Sequence, residues 1–197
     1  MSEPQTLIFI GRAGSGKGTQ AELLIKHLKS IYPDHPVLYA YTGDRFREFV
    51  NKDTYSSRLA REVNNSGGLQ PSFAAVTMWG NLLFDKMVGG EHLIFDGTPR
   101  TYSEALVLDT AMDFYQRAEP KVIYLNIHDD CAHGRLTKRG RVDDHSEGIQ
   151  KRLAWFEKDV VPALDYFRTN SRYTVLEIDG DKGIEEIHRQ IVKACCD

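Results

Sequence analysis

Nine residues, Gly11-Arg12-Ala13-Gly14-Ser15-Gly16-Lys17-Gly18-Thr19, constrain this 197-residue chain more than any other stretch. The apolar run Leu7-Ile8-Phe9-Ile10 stops at Gly11, as a buried strand would. From residue 17 to residue 30 the apolar residues Ala21, Leu24, Ile25 and Leu28 recur at the spacing of one helix face. A glycine-rich turn between strand and helix lets successive backbone N–H groups point inward around an anion. The helix N-terminus adds its partial positive charge, and Lys17 can reach the outer phosphates of a polyphosphate. A plain strand-to-helix turn would need none of this, least of all the lysine. One position departs from the common pattern, in which GxxxxGK is followed by a Ser or Thr that ligates Mg²⁺. Here Gly18 holds that place and Thr19 follows. Mg²⁺ held through waters and the nucleotide's own oxygens fits, because that ion gives up its waters reluctantly.

Beyond the loop, short apolar runs alternate with helical patterns. Strands are expected at residues 37–41, 92–95, 121–127 and 173–178. Helices are expected at 44–50, 55–63, 72–87, 103–116 and 130–138, then a long one over 146–169 and a last one from 184. Near-continuous apolar strands separated by helices imply a parallel sheet covered on both faces, a three-layer α/β fold with right-handed crossovers. Ligands of such folds bind outside the carboxyl ends of the strands, so the functional residues should follow the strands.

Composition narrows the partners. A net charge of −3 and a pI near 6.2 argue against a nucleic-acid surface, which needs a basic face. No apolar run approaches the ~20 residues of a membrane helix. The first residues, MSEPQTLIFIGRAG, lack the basic region of a signal peptide. Three cysteines, Cys131, Cys195 and Cys196, suit a reducing, cytoplasmic setting, with packing or surface roles for the adjacent pair.

Three further motifs carry chemistry. After the second strand comes Thr42-Gly43-Asp44-Arg45-Phe46-Arg47, where Thr42 suits a helix N-cap and Arg47 could be a solvated helix residue or a phosphate ligand. After the third comes Asp96-Gly97-Thr98-Pro99-Arg100-Thr101. Its Asp96 can orient Mg²⁺-bound water, and Arg100 can pair bidentately with a phosphate. The third is Arg135-Leu136-Thr137-Lys138-Arg139-Gly140-Arg141-Val142-Asp143-Asp144, followed by Gln150-Lys151-Arg152-Leu153. Phosphoryl transfer spreads negative charge over the moving group, and such fixed cations stabilise it. The GKGT ending of the loop, with TGDxxR, DGxPRT and RLxxRG…RVDD…KRL in this order, resembles the adenylate kinase family of nucleoside monophosphate kinases. The likeness runs from about Thr6 to the final helix.

The resemblance implies a single P-loop kinase domain over residues 1–197, its five-stranded parallel sheet in the order 2-3-1-4-5. It implies an acceptor-binding segment at about 41–70 and a very short lid at about 138–144. The implied reaction is transfer from ATP to AMP giving two ADP, with Mg²⁺ near Asp96 through water and no direct protein ligand. Gly14, Ser15, Gly16, Lys17, Gly18, Thr19, Arg135, Arg139 and Lys182 would bind ATP. Thr42, Arg47, Gly68, Leu69, Gln70, Gly97, Arg100, Glu104, Arg141 and Arg152 would bind AMP. Catalysis would fall to Lys17, Asp96, Arg100, Arg139, Arg141 and Arg152. A monomer is expected, with no nucleic-acid or membrane partner. No general base is needed, since a phosphomonoester with second pKa near 6 is mostly dianionic at neutral pH.

Two residues depart from the family pattern. Thr98 stands where a Phe is usual, and Glu104 where a Gln reads adenine. An ionised carboxylate only accepts hydrogen bonds, which suits the adenine amino group but not its N1. CMP, UMP, GMP or a deoxynucleotide as acceptor therefore stays open, as does a Glu104 that simply faces solvent. A nucleotide-sensing module without catalysis is the alternative from another class. The ligand-type residues of His128-Asp129-Asp130-Cys131-Ala132-His133 match no closed zinc pattern, so helix capping and surface polarity are expected there. Trp79 and Trp155 are expected to pack on helices, with Trp79 near the acceptor pocket.

Overall fold

The computed structural model describes residues 3–140 and 146–196. Five parallel strands, β1 (Thr6–Gly11), β2 (Val37–Tyr41), β3 (His92–Asp96), β4 (Lys121–Asn126) and β5 (Thr174–Asp179), form one sheet in the order β2-β3-β1-β4-β5. This is the order implied by the resemblance, and with flanking helices it is the P-loop kinase fold. The helices are α1 (Lys17–Ile31), α2 (Thr42–Phe49), α3 (Tyr55–Asn65), α4 (Ser72–Lys86), α5 (Tyr102–Phe114), α6 (Asp129–Arg139), α7 (Ser146–Trp155), α8 (Val161–Thr169) and α9 (Ile184–Cys196). None among the described residues is long and apolar enough to cross a membrane.

The strands bury both faces, and the period of two sorts their side chains into two cores. Ile8, Ile10, Leu93, Phe95, Val122 and Tyr124 pack with Trp79, Leu83, Leu108 and Leu164 under α4, α5 and α8. Leu7, Phe9, Ile94, Ile123 and Leu125 pack with Leu24, Leu28, Ile187 and Ile191 under α1 and α9. Trp79 therefore belongs to the interior, 3% exposed and edge-on to Phe95, rather than to an acceptor pocket. Register aligns the carboxyl ends: Phe9 and Tyr41 both pair with Asp96, Gly11 with Leu125, and Asn126 with Asp179. One edge of the sheet thus gathers every strand-to-helix turn that carries a motif.

The expected continuous helix over 146–169 is interrupted by a π-helical turn, Phe156–Val160, between α7 and α8. Pro162 has no N–H for the carbonyl four residues earlier, and the turn widens so that Val161 N–H reaches Phe156 O. Thr42 is also not an N-cap. It is the first residue of α2, Tyr41 precedes it, and its hydroxyl donates elsewhere.

One buried ion pair ties the loop before β3 to the segment after α5. The Arg117 guanidinium donates to Glu91 Oε1 at 3.2 Å and Glu91 O at 2.8 Å, while Val88 N–H donates to Glu91 Oε2. The two side chains are 7% and 2% exposed. Glu91→Ala would strand the guanidinium and should cost about 3–5 kcal/mol in denaturant unfolding. Glu91→Ala combined with Arg117→Met should recover part of that loss; two fully additive losses would contradict this reading.

Candidate active site

The loop between β1 and α1 closes on itself through Lys17. Its ammonium donates to Gly11 O at 2.7 Å, Arg12 O at 2.8 Å and Ser15 Oγ at 3.3 Å. Burial lowers its pKa from 10.5 to about 8; Asp96 opposes the shift, and Arg100 and Arg139 add to it. Gly14 lets the loop lie against α6. Its φ is +83°, and a Cβ there would meet Ala132 O at 2.7 Å and Leu136 Cγ at 3.0 Å. Gly16 precedes the first turn of α1, whose N–H groups and dipole favour an anion. A Cβ on Gly18 would sit 3.5 Å from Asp96 Oδ2, so the position that usually bears a hydroxyl faces the β3 carboxylate.

Asp96 ends β3 with 3% exposure, and Tyr39 Oη donates to its Oδ2 at 2.9 Å. Across the next turn, Thr42 Oγ1 donates to Gly97 O at 2.8 Å and to Asp96 O at 3.5 Å. Thr42 is thus a buried tie between two strand ends. Arg47 pairs with Asp44 and donates to Tyr41 Oη at 2.9 Å, with its guanidinium 5.4 Å from the centre of the Tyr41 ring. Arg100 lies 5.6 Å from the Trp155 ring centre, a cation–π contact.

Glu104 is 1% exposed, which removes the solvent-facing reading. Its Oε2 accepts from Thr98 Oγ1 at 3.0 Å and Arg100 N–H at 2.9 Å, and its Oε1 from Thr101 Oγ1 at 3.4 Å. Glu104 N–H in turn donates to Thr101 Oγ1, which caps α5. Burial holds the carboxyl above its ordinary value, against the Arg100 N–H, the Thr98 hydroxyl, the Arg100 charge and the Thr101 hydroxyl. The two departures from the family pattern are therefore bonded to one another.

An open cleft of about 1430 Å³ runs along this edge. It is lined by the loop from Gly14 to Thr19, by Asp96, Gly97 and Arg100, and by Arg47, Gly68 and Gln70. Arg135, Arg139, Arg152 and Lys182 complete it from the other side. Arg135 donates to Lys182 O at 3.3 Å, and Arg152, 9% exposed, donates to Gly148 O at 3.2 Å. Gln70 donates to Ala60 O and Asn64 Oδ1. Thr42, Leu69 and Glu104 stand outside the lining, each beside residues that belong to it. Arg141, and the part of the expected lid (138–144) that follows Gly140, lie outside the described residues.

Sequence reasoning missed Tyr41, Arg61 and Trp155, which also line the cleft. Trp155 could have been found from its spacing, three residues beyond Arg152 on one helix face. The residues 128–133 carry no metal cluster: no group of three His, Cys, Asp or Glu among the described residues could hold an ion. His128 instead precedes α6 and pairs with Asp181.

The raised Glu104 pKa has a definite sign. The folded state binds this proton more tightly than the unfolded chain, so the group's contribution to stability falls as pH rises from its ordinary value of 4.5 toward the folded one. Glu104→Gln keeps an acceptor oxygen and removes the titration. In urea unfolding, the stability of Glu104→Gln relative to the parent should grow as pH rises above about 4.5; a difference that stays flat would sink this assignment.

Comparison with known proteins agrees with this geometry. The family model for adenylate kinase matches residues 9–172. The adenylate kinase of Azobacteroides pseudotrichonymphae is 33% identical over 189 residues, 94% of each chain. Adenylate kinase 1 of a Nostoc species is 31% identical, covering 94% of this chain and 95% of its own. That of Prochlorococcus marinus strain MIT 9303 is also 31% identical, over 98% and 99%. A family model that matches most of the sequence, with relatives 31–33% identical along nearly all of it, shows that the chain belongs to the adenylate kinase family.

Proposed function

We propose that this chain is an adenylate kinase that carries the terminal phosphoryl group of ATP to AMP, giving two ADP, as a monomer. The observation that carries the reading is the single cleft in which Lys17, Asp96 and the guanidinium groups of Arg47, Arg100, Arg139 and Arg152 all meet. In it the loop from Gly14 to Thr19, with Arg135, Arg139 and Lys182, is the ATP side. The segment 41–70 with Arg100 is the acceptor side, and residues 138–144 are the lid. Neither nucleic acid nor a membrane has a part in the reading.

Mg²⁺ belongs to the proposal as the companion of ATP. The residues fit it: a carboxylate at a strand end suits a hard, oxygen-seeking cation, and Gly18 puts no side chain between the loop and Asp96 Oδ2. When bound, the ion would neutralise charge on the transferring phosphate oxygens. The chain's own residues do the rest. Lys17 exchanges its loop oxygens for phosphate oxygens, the arginines hold donor and acceptor phosphates in line, and no side chain need remove a proton.

The test is steady-state turnover with ATP and Mg²⁺ against AMP, dAMP, CMP, UMP and GMP. AMP should give the highest kcat/KM. If another base exceeds it, the acceptor assignment fails; if none turns over while ATP binds, the nucleotide-sensing reading replaces it.

The lowered Lys17 pKa yields a second expectation. Near pH 7 the ammonium is mostly charged, and around pH 8 to 9 much of it is neutral in the ligand-free protein. Triphosphate binding favours the charged form, so ATP should bind with proton uptake in that window. Calorimetry at about pH 8.5 in buffers of different ionisation enthalpy should show that uptake, and Lys17→Arg should abolish it.

A further inference from the structure

The parity of β2 and β3 sets up a contact chain that no motif announces. Residues 37, 39 and 41 share one face of β2, and residues 94 and 96 share the same face of β3, because successive side chains alternate. Val37, Tyr39 and Ile94 show which face it is, since all pack in the core under α1 and α9. Tyr39 and Tyr41 therefore stand side by side on the face where α1 presents Lys17 and Gly18. Their rings stack, with centroids 5.6 Å apart and planes 15° from parallel. At one end of the pair Tyr39 Oη donates to Asp96 Oδ2 at 2.9 Å. At the other end Arg47 donates to Tyr41 Oη at 2.9 Å and lies over its ring.

Gly43 makes room for this arrangement. A Cβ there would lie 2.7 to 2.8 Å from Cε2, Cζ and Oη of Tyr41, so any side chain at 43 would push the ring off its stack. Tyr39 is a durable donor, since burial first, and then the Asp96 carboxylate, suppress its ionisation. Asp96 itself is nearly sealed, whereas the Arg47 side chain is 46% exposed. A long exposed arginine has many rotamers to lose, and a ring face with a phenol oxygen restricts them.

We propose that Tyr39 and Tyr41 are positioning residues of the phosphoryl-transfer site, Tyr39 fixing the Asp96 carboxylate on the donor side and Tyr41 fixing Arg47 for the acceptor phosphate. The inference rests on the adenylate kinase reading for the roles of Asp96 and Arg47. It predicts two separable defects. Tyr39→Phe removes only the hydroxyl that orients Asp96, so kcat falls about ten-fold, the size expected for one hydrogen bond to a charged group, and more Mg²⁺ is needed for half-maximal rate. Its KM for AMP stays within about two-fold. Tyr41→Phe keeps the stack but loses the bond to Arg47, so KM and Kd for AMP rise about three- to ten-fold while kcat stays within about two-fold.

A packing role would move melting temperature without this split, so thermal melts accompany each variant. Double-mutant cycles make the assignment specific. In an Asp96→Asn background, Tyr39→Phe should cost less than about two-fold, and in an Arg47→Gln background Tyr41→Phe should do the same. Full additivity in either cycle overturns the corresponding half of the proposal, as does a Phe variant with parent kinetics. Calorimetric binding of AMP, and of ATP with Mg²⁺, to the same proteins reads the same couplings without turnover. An inactive parent would thus defeat the kinase reading while these titrations still decide whether the tyrosines act through Asp96 and Arg47.

Discussion

The Lys17 ammonium, held by two carbonyls and a hydroxyl of its own loop, is the interaction on which the site depends. It costs desolvation, which is why its pKa falls, and among the described residues the carboxylate that offsets the cost is Asp96 on the neighbouring strand. Arg100 and Arg139 work against it. The cleft thus gathers Lys17, Arg47, Arg100, Arg135, Arg139 and Arg152, whose like charges repel one another in a partly desolvated space. Under the proposed function, a polyphosphate would screen that repulsion as it binds. The loop oxygens that hold the lysine meanwhile keep its head aimed along the loop, so it has little distance to travel.

That charge arrangement exists because of the sheet. β1 lies between β3 and β4, and register brings Gly11, Asp96 and Leu125 to one edge. The same parity that buries Leu7 and Phe9 toward α1 turns Asp96 toward the N-terminus of that helix. Fully burying side chains of this size is worth about 1.5–3 kcal/mol each. A one-residue slip of β3 would put apolar side chains on the wrong face and take Asp96 away from Gly18, so the packing that stabilises the fold also enforces the geometry of the site.

The strands and the loop were readable because each is written in local signals, apolar runs of strand length and glycines at turns; the sheet order came only through the resemblance that the motifs carry. Helix ends were less readable. Thr42 looked like a cap because threonine suits that place, but its hydroxyl is drawn to Gly97 O in the turn after β3, 55 residues away, and local propensity cannot register a partner that distant. The break at Phe156–Val160 was hidden because a π turn leaves the apolar spacing nearly intact, and only Pro162 hinted at it. Trp79 turned out fully interior for a similar reason, and Trp155, which packs against the same core as expected, also lines the cleft. Both lie on apolar helix faces, and which face meets the cleft is decided by how α4 and α7 dock.

Thr98 and Glu104 show what reading one position at a time conceals. Taken singly, a Thr for Phe loosens packing near an acceptor base, and a Glu for Gln takes away a donor to adenine. Together they form a buried hydrogen bond, and the same carboxylate accepts the backbone N–H of Arg100. A Phe at 98 would offer that carboxylate nothing, and a buried carboxylate with one partner fewer is costly. The pair therefore makes sense only as a pair: the carboxylate braces the turn that carries Arg100 into the cleft, and the threonine makes its burial tolerable. Glu104 itself stands outside the cleft lining, with its Oε2 already accepting two hydrogen bonds. Under the proposed function, discrimination among bases then draws on groups that line the cleft directly, such as the backbone around Gly68 and the side chains of Asn64 and Gln70.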